Sequence, residues 1–171
     1  QLSMAVPMAT GAARMVPLDF VHSPAAPKPP ATADSATQAR YRQAQRDRAL
    51  PAVGADRLHR LRHHLDTEGH RARPLWTVVD GGYTNRRFLK ALPPHTVAIG
   101  RIRADAKLHH LPVTVPGSPG RRRIYGADAP TPAALQHDAT VPWPRVTAYA
   151  AGTNHQLRIQ TLAPLRWRPA R

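Results

Sequence analysis

The run Leu75-Trp76-Thr77-Val78-Val79-Asp80-Gly81-Gly82-Tyr83-Thr84-Asn85 sets one carboxylate, two glycines and a Thr/Asn pair directly after a stretch of apolar, β-prone residues. That order predicts a buried strand with Asp80 at its carboxyl end, where open α/β sheets put their chemistry. Gly81 and Gly82 let a backbone or a phosphate come close. Thr84 and Asn85 suit a helix cap, and the helix that follows, Arg86 to Leu92, stops before Pro93-Pro94. Asp80 is therefore a candidate site residue. On local sequence the commoner reading is a strand-end Asp that only caps the next turn. Phosphoryl transfer by two metals needs clustered carboxylates that hold ions ~3.5–4 Å apart. Magnesium, a hard ion, favours such oxygen ligands. One carboxylate does not build that centre.

Cations surround this stretch of sequence. Arg86, Arg87 and Lys90 lie on the helix after Asp80, and Arg101, Arg103 and Lys107 follow the next strand. Arg121, Arg122 and Arg123 come after a turn, Pro116 to Gly120. All are expected to meet DNA phosphates. The alternatives are an ion pair of Arg101 or Arg103 with Asp105, worth at most ~1 kcal/mol on a surface, and a solvated loop at 121–123. The whole chain carries +15, with 22 arginines among 25 bases and only ten acids. Such an excess points to a polyanionic partner, most plausibly nucleic acid. Arginine also suits bidentate phosphate contacts. A G+C-rich coding bias explains arginine over lysine, but not the scarcity of acids.

Other chemistries find less support. There are no cysteines, which excludes disulfides, thiolate zinc sites and thiol catalysis. His59 and His63 stand at i, i+4, and His63-His64 and His109-His110 are adjacent. No HExxH motif or completing carboxylate accompanies them, so they read as surface residues. Ser3, Ser23, Ser35 and Ser118 lack a nucleophile-elbow context, and GxxxxGK[ST] is absent. Trp143 and Trp167 lie beside arginines and could stack on unpaired bases; core packing is the commoner use. No apolar run approaches the ~20 residues of a membrane span. The expected partners are DNA and, through an unpaired sheet edge, a second copy; no membrane and no small-molecule cofactor is expected. A cytoplasmic, nucleoid-associated location is expected by default.

The elements that position these residues follow from punctuation. Strands are predicted at Leu2–Ala9 and Arg14–Phe20, joined by Thr10 to Ala13. Residues 22–34 form a proline-rich connector. Asp34 or Ser35 caps a helix from Ala36 to Ala49, whose arginines leave little apolar face. Pro51 and Gly54 are expected to interrupt the chain before a second helix, Asp56 to Thr67. Leu58, Leu61 and Leu65 make its buried stripe, and Arg57, Arg60 and Arg62 sit on its other faces. A strand follows at Thr96–Arg103, giving an α/β sheet with hairpin and crossover connections. From Ala104 the chain reads as less regular, with a short helix from Thr131-Pro132 to His137. A hairpin follows, from Arg145–Ala150 and His155–Leu162 about Ala151-Gly152-Thr153-Asn154, with Leu157, Ile159 and Thr161 on one face. Proline is 19 of 171 residues and aromatics are 5%, which predicts a thin core and marginal stability.

Several segments, in order, resemble the region around the second catalytic aspartate of DDE-type insertion-sequence transposases. They are ARMVPLDFVHSPAAPKPP at 13–30, YRQAQRDRAL at 41–50, DGGYTNRRFLKALP at 80–93, IGRIRADAKL at 99–108, GRRRIYG at 120–126 and PTPAALQHD at 130–138. The resemblance implies an RNase H-like mixed α/β sheet with flanking helices. It implies a partial core over 1–110, and a basic β-rich segment of the same domain over 111–171. It implies metal-dependent phosphodiester cleavage and strand transfer, in which magnesium activates water and then a DNA 3′-hydroxyl. Asp80 would be a catalytic metal ligand. The family uses three carboxylates. Asp19 does not match the first position and reads as structural. The single glutamate, Glu68, precedes Asp80, and Asp105, Asp128 and Asp138 lack the helical context of the third. With Gln1 as its opening residue, the chain is expected to be an internal piece that is inactive alone. The alternatives are a non-catalytic basic nucleic-acid-binding module and a relic of a decayed mobile element.

Overall fold

The two N-terminal apolar runs pair as antiparallel strands, β1 (Leu2–Pro7) and β2 (Ala13–Asp19), with Met4 opposite Val16. This is the first piece of a computed structural model that describes residues 1–9, 11–113, 117, 120–150 and 152–168. Thr10, most of the expected turn at 116–120, and Ala151 lie outside the described residues. The chain divides into two compact units, Gln1–Met8 with Ala13–Arg101, and Ala9–Ala12 with Ile102–Arg171. Helix and strand are mixed, with four small sheets among the described residues.

In the first unit, α1 (Ser35–Asp47) starts where Asp34 accepts the Thr37 amide at 2.6 Å, and it buries no residue. Its arginine-rich faces have nothing apolar to bury. Next, α2 runs unbroken from Leu50 to Thr67, which corrects the expected interruption. Pro51 sits in the first turn, where its missing N–H costs no bond. Gly54 lies inside the helix, where a Cβ would come 2.8 Å from Cε1 of Tyr83. Glycine is kept there by close packing rather than by a turn.

The core of this unit is small. Ala55, Leu58 and Phe88 are buried, with Leu2, Leu75, Val79, Tyr83 and Ala98 packed around them. The ring of Tyr83 meets Phe88 edge-on at 5.5 Å. Arg62 lies on the buried stripe of α2 and not on an outer face; it is 3% exposed. Its guanidinium donates to the Asp66 carboxylate at 2.8 Å, to the Arg73 carbonyl at 2.7 Å and to the His70 carbonyl at 2.8 Å. A buried charge is tolerated when its donors are occupied in this way. Arg57 reaches Asp19 at 3.3 Å, a structural role for that acid.

β3 (Leu75–Val79) and β4 (Thr96–Gly100) pair in parallel through α3 (Arg86–Lys90), with Val79 opposite Gly100. Parallel partners require such a crossover. The expected burial of β3 holds on one face only. Thr77 is buried, but Trp76 and Val78 are 65% and 80% exposed, and Val97 and Ile99, their register partners, are exposed beside them. β1 pairs with β2 and β3 with β4, in separate two-stranded sheets rather than one continuous sheet.

The second unit is more regular than expected. β5 (Lys107–His110) is the middle strand between β6 (Asp128–Ala129) and β9 (Leu165–Arg168), both antiparallel to it. These strands are two to four residues long, too short for alternation to announce them. Between them lie α4 (Pro132–His137), capped by the Thr131 hydroxyl on the Ala134 amide at 3.1 Å, and the hairpin of β7 (Arg145–Ala150) and β8 (Thr153–Arg158). Ile159 falls just past β8, where its amide donates to Pro144 at 3.0 Å.

Candidate functional site

Asp80 stands one residue beyond β3, exposed, at the carboxyl end of the parallel pair. The turn it opens is tightly bonded. Its carboxylate accepts the Gly81 amide at 2.6 Å, and its carbonyl accepts the Tyr83 amide at 2.9 Å. The Thr84 hydroxyl lies 2.8 Å from the Gly81 carbonyl and 2.6 Å from the Arg101 carbonyl. Its single proton serves one of them at a time. Thr84 thus ties the turn to the end of β4. The helix cap falls to Asn85, which accepts the Phe88 amide at 3.0 Å. Asp80, Gly81, Thr84 and Arg101 are therefore brought together at the ends of two parallel strands.

The cations fall into two groups. Arg86, Arg87, Lys90 and Arg101 are exposed in the first unit; Arg103, Lys107 and Arg121–Arg123 are exposed in the second. Of the two candidates for Asp105, Arg103 takes it, with bonds of 2.8 and 2.9 Å from Nε and Nη2. That hydrogen bond holds the Asp105 carboxyl below its ordinary range. Arg57, Arg60, Arg62 and Arg103 are the arginines that pair with acids among the described residues. The remaining site cations keep their charge uncompensated.

The magnesium centre that the resemblance implies does not fit the residues present. Asp80 offers one carboxylate. Asp19, Asp56 and Asp66 are each held by an arginine, and Asp34 by its cap. Among the described residues no three His, Cys, Asp or Glu side chains cluster as metal ligands. The turn at Asp80 can present an acceptor and nearby cationic side chains to a polar ligand; it has no second carboxylate to share an ion.

His109, read from the sequence as one of a pair of surface histidines, is a correction to that reading. It is buried on β5, with Nδ1 2.9 Å from the Asp128 carboxylate and its ring 4.8 Å from that of Tyr125. The approach to Asp128 is close but off the direction a ring N–H needs, so both ring nitrogens lack a hydrogen bond among the described residues. No sequence signal marks it, because the groups it meets, the Tyr125 ring and Asp128 on β6, lie far along the chain. Trp167 lies on β9 opposite Leu108, while Trp143 lines an open cavity.

Compared with known proteins, the chain matches no family model, no curated protein and no solved structure. No helix among the described residues is long and apolar enough to cross a membrane.

Proposed function

We propose that this chain is a DNA-binding part of an RNase H-like DDE transposase core, holding one of its three carboxylates and unable to cut DNA alone. The observation that carries the reading is Asp80 at the carboxyl end of a parallel β3–β4 pair, with the unpaired cations Arg86, Arg87, Lys90 and Arg101 on the elements that flank it. Exposed guanidinium and ammonium groups with no acids to neutralise them bind phosphate backbones through counterion release. The order of hairpin, two helices and β3–α3–β4 supports the RNase H-like assignment. A basic nucleic-acid module without that ancestry rests on the same cations and makes no use of Asp80.

The test is incubation of the purified protein with magnesium or manganese and labelled duplex DNA carrying element ends. Binding without nicking is the expected result. Nicking that vanishes in Asp80→Ala would show that the chain holds a working centre, and no binding at all would remove the DNA reading.

A further inference from the structure

We propose that the second unit holds a pocket for one unpaired nucleotide of a single-stranded nucleic acid, with Trp143 as the stacking face for the base and Arg158 as a phosphate ligand. An open cavity of about 660 Å³ lies between the end of α4 and the β7–β8 hairpin, lined by Gln136, His137, Asp138, Trp143 and Arg158 among others. Its size suits a small planar ligand. The hairpin holds Trp143 beside Arg158. The Pro144 carbonyl accepts the Ile159 amide at 3.0 Å, which adds a rung to the ladder beyond Arg145 and Arg158.

The charge of the ligand follows from the register. Arg145 and Arg158 are direct cross-strand partners. Like charges so placed repel and cost stability. Neither is in an ion pair among the described residues. An anion at Arg158 relieves that repulsion. Asp138 is the acid on the cavity wall, and its Oδ1 already accepts the Thr140 amide at 2.9 Å and the Thr140 hydroxyl at 2.6 Å. On the wall Arg158 faces one carboxylate whose Oδ1 is already engaged, and Arg145, its cross-strand partner, adds a second cation next to the cavity. An indole face next to an arginine is the pairing that single strands use, because every base offers a π-face and every nucleotide a phosphate. A paired base in a duplex offers no free face.

The inference takes the class of its ligand from the nucleic-acid reading above, and the two can fail separately. In a Trp76→Phe/Trp167→Phe background, Trp143 is the sole indole, and its emission reports occupancy. Titration with a dodecamer of thymidylate at fixed salt is expected to quench it. Trp143→Ala and Arg158→Ala should each weaken single-strand binding about fivefold or more, while duplex binding changes less than about twofold. Trp143→Phe keeps a ring and should fall between, which guards against a folding defect in the alanine variant. Unchanged emission at saturating oligonucleotide, or equal losses for single strand and duplex, overturns the pocket and leaves general DNA binding intact. Thymidine monophosphate that matches the dodecamer in affinity overturns the strand as the source of the nucleotide. A parent protein that binds neither strand nor duplex overturns both readings.

Discussion

The Thr84 hydroxyl meets the Arg101 carbonyl at 2.6 Å, across 17 residues of sequence. The bond fixes the turn that carries Asp80 to the end of β4. Thr84→Val removes the hydroxyl while keeping its shape, and is expected to cost about 1 kcal/mol. Thr84→Ser keeps the bond and should cost less. Urea midpoints at constant slope measure both.

Gly100 packs under the same latch. A Cβ there would collide with the Thr84 methyl and come 2.9 Å from a methyl of Val79. Gly100→Ala is expected to destabilise by roughly 1–3 kcal/mol, the cost of overpacking. Adding Thr84→Ser deletes one of the two obstacles. The double variant should recover part of the loss, a coupling that a thermodynamic cycle detects. Strict additivity would show that the two positions do not touch.

Arg62 is a prop of the first unit. Its removal leaves the carbonyls of His70 and Arg73 without their donor. Arg62→Ala is expected to cost about 2 kcal/mol, from unsatisfied acceptors and lost packing. Arg62→Lys should rescue little, since an ammonium cannot span three acceptors in the fork geometry of a guanidinium. Thermal melts of the three proteins rank them.

Acid should loosen α1. The Thr37 amide, and then the Thr37 hydroxyl, hold the Asp34 carboxyl below its ordinary value of 3.8. A carboxyl depressed in the folded state stabilises it above the ordinary value, and that contribution is lost as pH falls through the folded one. Helicity followed by circular dichroism should therefore decline below about pH 4. Asp105 and Asp138 are depressed too and act in the same direction, so the difference between parent and Asp34→Asn isolates the cap. Asparagine still accepts a bond but does not titrate, and its share of the curve should be flat.

DNA affinity should fall steeply with salt, by about −0.9 in log affinity per log salt for each phosphate contact. Replacing Arg121, Arg122 and Arg123 together by Ala is expected to flatten the slope by roughly one to three contacts, equally on element ends and random duplexes. Loss confined to element ends would mean that the run reads sequence.

Self-association is the expected behaviour of the isolated chain. Trp76, Val78, Val97 and Ile99 form an exposed apolar face on β3–β4, and among the described residues both strands have one unpaired edge. Such faces and edges invite pairing with a second copy. Val78→Thr with Ile99→Thr should shift light scattering toward smaller species. A monodisperse parent would rule the face out as a driver.

The local grammar is legible in the chain. The Asp34 and Thr131 caps, the strand before Asp80, the short helix before Pro93 and the two hairpins all rest on residues close in the chain, whose side chains answer neighbouring backbone groups. The positive charge and the scarcity of carboxylates are legible there too. What depends on distant partners emerges only in the folded chain. Arg62 became a buried residue because carbonyls eight and eleven residues away accept its protons. Gly54 lies within α2 with the Tyr83 ring in the space a side chain would take. His109 was buried against the ring of Tyr125, which lies far along the chain, and Arg158 came to face Arg145 because Ala150 pairs with Thr153, inside the expected turn at 151–154. Periodicity reports how a segment wants to lie, whereas burial and charge opposition depend on which segments it meets.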